Sequence, residues 1–114
     1  MALLTEQELH NLAMNIVGKD LESKGFEFLA VNSKLKKDPQ FVALKDKILH
    51  FVVVRAITFP DNANSYDKDF MQTIKDHAIK FEAKTYYAGV GLGNSNNYQQ
   101  RDAYAVIYNG LQEV

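Results

Sequence analysis

The chain has 114 residues, of which 46% are hydrophobic and 24% charged, as in an ordinary folded domain. Its 13 basic and 14 acidic residues leave a formal net charge of -1, so the molecule as a whole should not attract nucleic acid or an anionic membrane. The absence of cysteine excludes disulfides, thiolate nucleophiles, thiolate zinc sites and iron–sulfur clusters.

The location and domain count follow from the same sequence. No stretch approaches the roughly 20 apolar residues of a membrane span. The first ten residues, MALLTEQELH, lack the basic region of a secretory signal. We therefore expect a cytoplasmic protein without membrane association. The length, and the lack of repeats or linkers, predict one domain over residues 1–114.

The first predicted element is an amphipathic helix from about Glu6 to Lys24. Thr5 and Glu8 have the spacing of a capping box, which satisfies free amides at a helix start. Gly25 suits the left-handed residue that often follows a helix. The apolar residues recur with helical period: Leu9, Leu12, Ala13, Ile16, Val17 and Leu21.

Five strands and a second helix are predicted after it. They are strands at 26–31, 40–44 and 48–57, a helix at 66–83 capped by Ser65 or Asp67, and strands at 85–90 and 103–108. The third strand is apolar on both faces, which is typical of the middle of a covered sheet. The order αβββαββ predicts an α/β (α+β) fold in three layers. In it, a mixed five-stranded sheet has a helix on each side, and the second helix connects parallel neighbours.

This pattern resembles the restriction-endonuclease-like (PD-(D/E)xK) superfamily. A helix, Lys-Gly-Phe, a strand ending in Asn32, a basic loop, a short strand and the run LHFVVVR are similar to small bacterial proteins related to Holliday-junction resolvases. The resemblance covers about residues 9–90. It implies a Mg²⁺-dependent nuclease scaffold, with an aspartate opening the second strand and a glutamate and a lysine alternating on the third.

The residues at those positions do not fit nuclease chemistry. The second strand begins with Gln40, and the third has Val53 and Arg55 where the resemblance expects glutamate and lysine. Valine cannot ligate a cation, and arginine is not a base in proteins. The resemblance therefore implies a non-catalytic scaffold whose vestigial cleft contains these three residues. Asp38 and Asp46 are the nearest acids.

A second resemblance rests on the stretch from VNSK to VVRA, residues 31–56, and on KTYYAGVGLGN, residues 84–94. These are similar to a small bacterial family of unassigned function, whose members are sometimes named after the flavin-bearing subunit of the sodium-translocating NADH-quinone reductase. That subunit carries a four-cysteine [2Fe–2S] site and a flavin domain. A cysteine-free chain of 114 residues has neither, so we expect no cofactor.

Two groups of residues raise the question of a ligand site. The segment Gly89–Gly93 has the spacing GxGxG rather than GxGxxG, and no helical pattern follows it, which favours a strand end with a bulge or turn over a phosphate site. His10, His50 and His77 lack a metal spacing. His50 and His77 could meet across a strand–helix interface, but satisfied, partly buried histidines are favoured over a metal site.

Two further groups suggest macromolecular partners. The segment 34–47 has a local charge of about +3 and could face a nucleic-acid backbone, although a solvated loop and edge strand is favoured. Its lysines are Lys34, Lys36, Lys37, Lys45 and Lys47. The tyrosines of the last two strands would stack on bases or on a partner, or lie in the core. They are Tyr86, Tyr87, Tyr104 and Tyr108.

Arg55 places a charge inside an apolar strand, so it must be paired or solvated. Glu22 and Asp76 are the candidate partners for a salt bridge. The alternative is that Arg55 lies in a shallow cleft and holds an anion or a partner's carboxylate.

The expected function is a non-catalytic module for contact with an unknown protein or for homodimerisation. It would have no catalytic residues and no metal. One alternative is a nucleic-acid-binding protein that uses the basic segment 34–47, which salt-dependent binding would reveal. The other is a metal-dependent nuclease with ligands migrated to Asp38, Asp46 and Glu27, which Mg²⁺- or Mn²⁺-dependent cleavage would reveal.

Overall fold

The computed structural model describes residues 5–34, 37–58, 61–62, 65–93 and 105–114, with the side chain of residue 105 left aside. Two helices and six strands follow one another in it. They are α1 (Glu6–Ser23), β1 (Glu27–Val31), β2 (Phe41–Lys45), β3 (Ile48–Thr58), α2 (Lys68–Ile79), β4 (Lys84–Gly93), β5 (Ala105–Tyr108) and β6 (Gln112–Glu113). The α+β class in three layers is confirmed.

Helix α1 begins and ends as its sequence predicts. The Glu8 amide donates to Thr5 Oγ1 at 3.1 Å, and the Thr5 amide donates to Glu8 Oε1 at 3.0 Å, which completes the capping box. Gly25 has φ of +86°, a conformation that glycine adopts without a steric penalty. The chain therefore reverses within a few residues and returns along the sheet as β1.

Strands β1, β2 and β3 form an antiparallel meander. The two residues between β2 and β3, Asp46 and Lys47, have φ of +53° and +66°, as a tight two-residue hairpin requires. The register of β1 on β2 shifts between Phe28 and Ala30, which marks a β-bulge at Leu29. Among the described residues, strand β1 pairs only with β2 and is one edge of the sheet.

The second half of the chain departs from prediction at three points. Helix α2 begins after Asp67, whose carboxylate accepts from the Phe70 amide at 3.0 Å, but it ends at Ile79 rather than near Ala83. Strand β4 continues to Gly93, since the backbone of β3 holds the glycine segment in a parallel ladder. A short sixth strand, β6, pairs with β4 beside β5, so the sheet has six strands rather than five.

The two faces of the sheet carry separate hydrophobic clusters, because successive side chains of a strand point to opposite faces. Val52 and Val54 of β3 pack with α1, whereas Val53 packs with Met71 of α2 and with Tyr87. Helix α1 packs mainly on β3 and β4, and α2 mainly on β4. Neither helix packs mainly on β1, although Phe28 contacts the hydrophobic cluster that α1 shares with β3 and β4. In the part of the chain that the structure describes, no helix is long and apolar enough to cross a membrane.

Candidate functional site

A buried polar network lies where β3 passes the segment that leads into β2. Arg55 Nη1 and Nη2 donate to the two carboxylate oxygens of Asp38 at 2.6 and 2.8 Å. Asp38 has only 8% of its side chain exposed, against 26% for Arg55. The guanidinium also lies 5.5 Å from the centre of the Phe70 ring, within the range of a cation–π contact. The charge of Arg55 is therefore paired inside the molecule.

Gln40 joins this ion pair to the sheet. Its Nε2 donates to Asp38 Oδ1 at 2.6 Å and to the Lys37 carbonyl at 3.2 Å. Its Oε1 accepts from the backbone amide of Val54 at 2.7 Å, at the point where β2 has not yet begun. The side chain thus extends the β2–β3 ladder by one bond and holds the segment that carries Asp38 against β3.

The electrostatics follow from this geometry. Burial alone would raise the pKa of Asp38. The hydrogen bonds from Arg55 and Gln40 and the positive charge of Arg55 outweigh burial, so the pKa lies below its ordinary value. His10 of α1 is 1% exposed, and its Nε2 has no hydrogen-bond partner in the described part of the chain. Burial and the charge of Arg55 lower its pKa, against the opposing effect of Asp38.

The three residues predicted for a vestigial cleft differ in their exposure to solvent. Arg55 reaches the surface, but Gln40 and Val53 are fully buried, and Val53 packs against α2. The predicted partners of Arg55 are wrong, because Asp38 binds it and neither Glu22 nor Asp76 does. Sequence reasoning missed this pair because no local pattern connects residues 17 positions apart.

The acids considered as migrated metal ligands do not converge. Asp38 lies three residues before β2 and is bound to Arg55. Asp46 lies in the turn after β2, and Glu27 is exposed at the start of β1 opposite Leu44. Among the described residues, no group of three or more histidine and acidic side chains is close enough together to hold a metal ion.

The lysines of segment 34–47 lie at both ends of β2. Lys34 and Lys37 precede the strand and are exposed, whereas Lys45 ends it and Lys47 follows in the turn. Strand β2, about 14 Å long, runs from one group to the other. Lys45 also lies 5.2 Å from the centre of the Phe26 ring. Lys36 lies outside the described residues. The described lysines thus do not share one face as a single patch.

The remaining candidates are accounted for within the fold. Gly89 and Gly91 pair with Arg55 and Ile57 inside the sheet, so the prediction of a bulge or turn there is wrong. His50 and His77 do not meet. His50 stacks on Tyr86 with a ring separation of 5.6 Å on the α1 face, and His77 is exposed beside Phe51 and Phe81 on the other.

The tyrosines of the late strands are mostly core residues. Tyr87 is buried beside Tyr66, with ring centres 4.8 Å apart. The Tyr108 hydroxyl donates to Asp20 Oδ2 at 2.6 Å and so ties β5 to α1. Burial and the Asp20 carboxylate raise the pKa of Tyr108. Tyr104 lies outside the described residues. The described tyrosines are therefore not arranged as an exposed stacking platform.

One exposed apolar surface lies at β1. Leu29 is 52% exposed and Val31 is 56% exposed. Between β1 and α1 runs an open groove of about 380 Å³, whose floor is Phe28, Val31 and Phe41. Gly18 of α1 leaves the wall of this groove without a side chain. We call Leu29, Val31 and the groove the β1 surface. The sequence feature that could have indicated this surface is the apolar run in the first of three consecutive strands, because the first strand of a meander can lie at the edge of a sheet.

Residues 7–114 match the model of one protein family, which is described as a "Domain of unknown function (DUF8840)". No solved structure matches the chain.

Proposed function

Because the chain belongs to the DUF8840 family, whose description states no activity, we propose from its geometry that it is a non-catalytic protein-interaction domain. The partner binds at the β1 surface. The observation that carries this proposal is the exposure of Leu29 and Val31 on an edge strand beside an open groove. Contiguous exposed apolar surface on a folded domain is characteristic of sites of protein contact.

The polar network supports the non-catalytic part of the proposal. Arg55 uses its guanidinium to bind Asp38, so neither side chain is available as a ligand or a base without first breaking the pair. Val53 offers no polar atom and is buried. The network joins two parts of the backbone, which is a structural role.

The division of the lysines between the two ends of β2 supports protein contact over nucleic-acid binding. A phosphate backbone is bound by cations that follow one face or groove. Here the exposed apolar side chains of β1 lie on the part of the sheet between the two lysine groups. An apolar centre with a charged rim is the usual anatomy of a protein–protein interface.

The test is site-specific photo-crosslinking of the full chain in cells that express it naturally. A photoreactive amino acid is placed at Val31, and a matched control is placed at Ile79, which is 58% exposed on α2. We expect discrete protein adducts from position 31 and none from position 79. Adducts to nucleic acid would favour the nucleic-acid alternative. No protein adduct from position 31 would refute the proposal.

A further inference from the structure

We infer that the partner at the β1 surface is a second copy of this chain, joined across a two-fold axis with the two β1 strands side by side and antiparallel. This inference rests on the proposed function and names its partner. It starts from two charges at the ends of β1.

Glu27 begins β1, and Lys34 lies three residues after its end. Both side chains are exposed, and within the described ranges neither takes part in a salt bridge. The backbone of Lys34 is held near the end of β1 by one hydrogen bond, in which its amide donates to Asn32 Oδ1 at 3.1 Å. The edge of the sheet therefore carries an unpaired acid at one end and an unpaired base at the other.

Such an edge is self-complementary in one orientation only. When two copies lie antiparallel, Glu27 of each copy comes to the end of the interface where Lys34 of the other lies, and symmetry forms two ion pairs. In a parallel arrangement, like charges meet at both ends. Opposite charges across neighbouring strands are stabilising and like charges are destabilising. Charge complementarity thus selects a two-fold, antiparallel contact.

The apolar residues between the charges suit the same contact. A two-fold axis places Leu29 and Val31 against the same residues of the second copy, which removes from water the most exposed side chains of this edge. Val31 also has free backbone groups. The Asn32 amide donates to the Gln40 carbonyl at 2.7 Å, and alternate residues of an antiparallel strand point to opposite sides, so the polar groups of Val31 face outward.

The other edge of the sheet explains why a closed pair is favoured over a chain of copies. Val106 and Ile107 of β5 are also exposed, at 49% and 56%. A contact between β1 of one copy and β5 of the next would repeat without closing and give a filament. The bulge at Leu29 interrupts the regular ladder that such continuous sheet extension needs. A two-fold contact tolerates the bulge, because it relies on side chains and on the backbone groups of Val31, which lies beyond the bulge.

The test uses charge reversal and mixing. Glu27→Lys and Lys34→Glu each place like charges at both ends of the interface, so we expect each variant to raise the dimer dissociation constant at least about tenfold in sedimentation equilibrium. An equimolar mixture of the two variants has opposite charges at both ends. We expect the mixture to associate about as tightly as the wild type, and the double variant E27K/K34E to do the same.

The matched control is Lys68→Glu, which reverses an exposed charge at the start of α2 and should leave the dissociation constant unchanged. If the mixture associates no better than either variant alone, the two-fold arrangement is refuted. A monomeric wild type, with a photo-crosslinked adduct of a different protein at Val31, would overturn this inference and leave the proposed function intact. Absence of any protein adduct would overturn both. An adduct with twice the mass of the chain supports both.

Discussion

Replacing Arg55 by methionine tests the polar network that holds the entry to β2. Methionine preserves an unbranched stem against Phe70 and removes the two hydrogen bonds to Asp38, which measure 2.6 and 2.8 Å. The Asp38 carboxylate, 8% exposed, then keeps only the hydrogen bond from Gln40. We expect the free energy of unfolding to fall because a largely buried charge loses its counter-ion.

The magnitude follows from burial. Removing one partner of a fully buried ion pair costs about 3–5 kcal/mol, and a fully exposed pair is worth about 1 kcal/mol or less. Arg55 is 26% exposed, so solvent offsets part of the loss and we expect about 2–3 kcal/mol. For a domain of this size each kcal/mol lowers the melting temperature by about 4 °C, so R55M should melt about 8–12 °C below wild type.

A second substitution tests whether R55M loses stability because the Asp38 carboxylate has no counter-ion or because packing is lost. Adding Asp38→Asn to R55M removes the negative charge and keeps an acceptor for Gln40. The double variant should therefore be about 1 kcal/mol more stable than R55M alone, a non-additivity expected of residues in direct contact. The assay is urea unfolding at pH 7, followed by far-ultraviolet circular dichroism.

The same assay at lower pH tests the direction in which the contribution of Asp38 to stability changes with pH. The hydrogen bonds in the folded wild type hold the pKa of Asp38 below its unfolded value of 3.8, so its contribution is present above that pH and is lost as the pH falls further. The stability difference between wild type and R55M should thus narrow below about pH 4. An R55M variant within about 0.5 kcal/mol of wild type at pH 7 would refute the structural role. A double variant less stable than R55M would refute the explanation that the unpaired Asp38 carboxylate causes the loss of stability.

Two further predictions concern α1. Gly18→Ala should stabilise the fold by about 0.5–1 kcal/mol, since alanine favours a helix interior and its Cβ would meet Phe41 Cζ at an ordinary 3.5 Å; a lower melting temperature would show that the contact is too tight. His10→Gln should reduce the loss of stability between pH 7.5 and 5.5. Burial and Arg55 lower the pKa of His10, so below 6.5 the unfolded chain binds the proton first, at a cost of at most about 1.4 kcal/mol at pH 5.5. An unchanged slope in urea titrations would assign the effect to His50, whose pKa burial also lowers.

Local signals in the sequence determined the elements and most of their order. The capping box of Thr5 and Glu8 and the positive φ of Gly25 are properties of a few neighbouring residues, so α1 could be predicted at both ends. The apolar run of β3 predicted a central strand, and its two faces do pack against different helices. The nuclease-like resemblance stays a prediction.

Only the tertiary structure decided where the later elements α2 and β4 end and which side chains meet. Strand β4 continues through its glycines because β3 supplies the partner ladder, although glycine by itself disfavours a strand interior. Arg55 pairs with Asp38 because the segment before β2 passes β3 near its end. The periodicity of hydrophobic residues carries no information about such a crossing.

For the β1 surface too, the sequence determined one part and the tertiary structure the other. The sequence by itself determined that β1 would be an apolar strand at the start of a meander, since alternation and short connections are local features. Whether α1 would cover that strand depended on where this helix packs on the sheet. It packs on β3 and β4, whose apolar residues form one buried cluster with it, and it leaves Leu29 and Val31 more than half exposed.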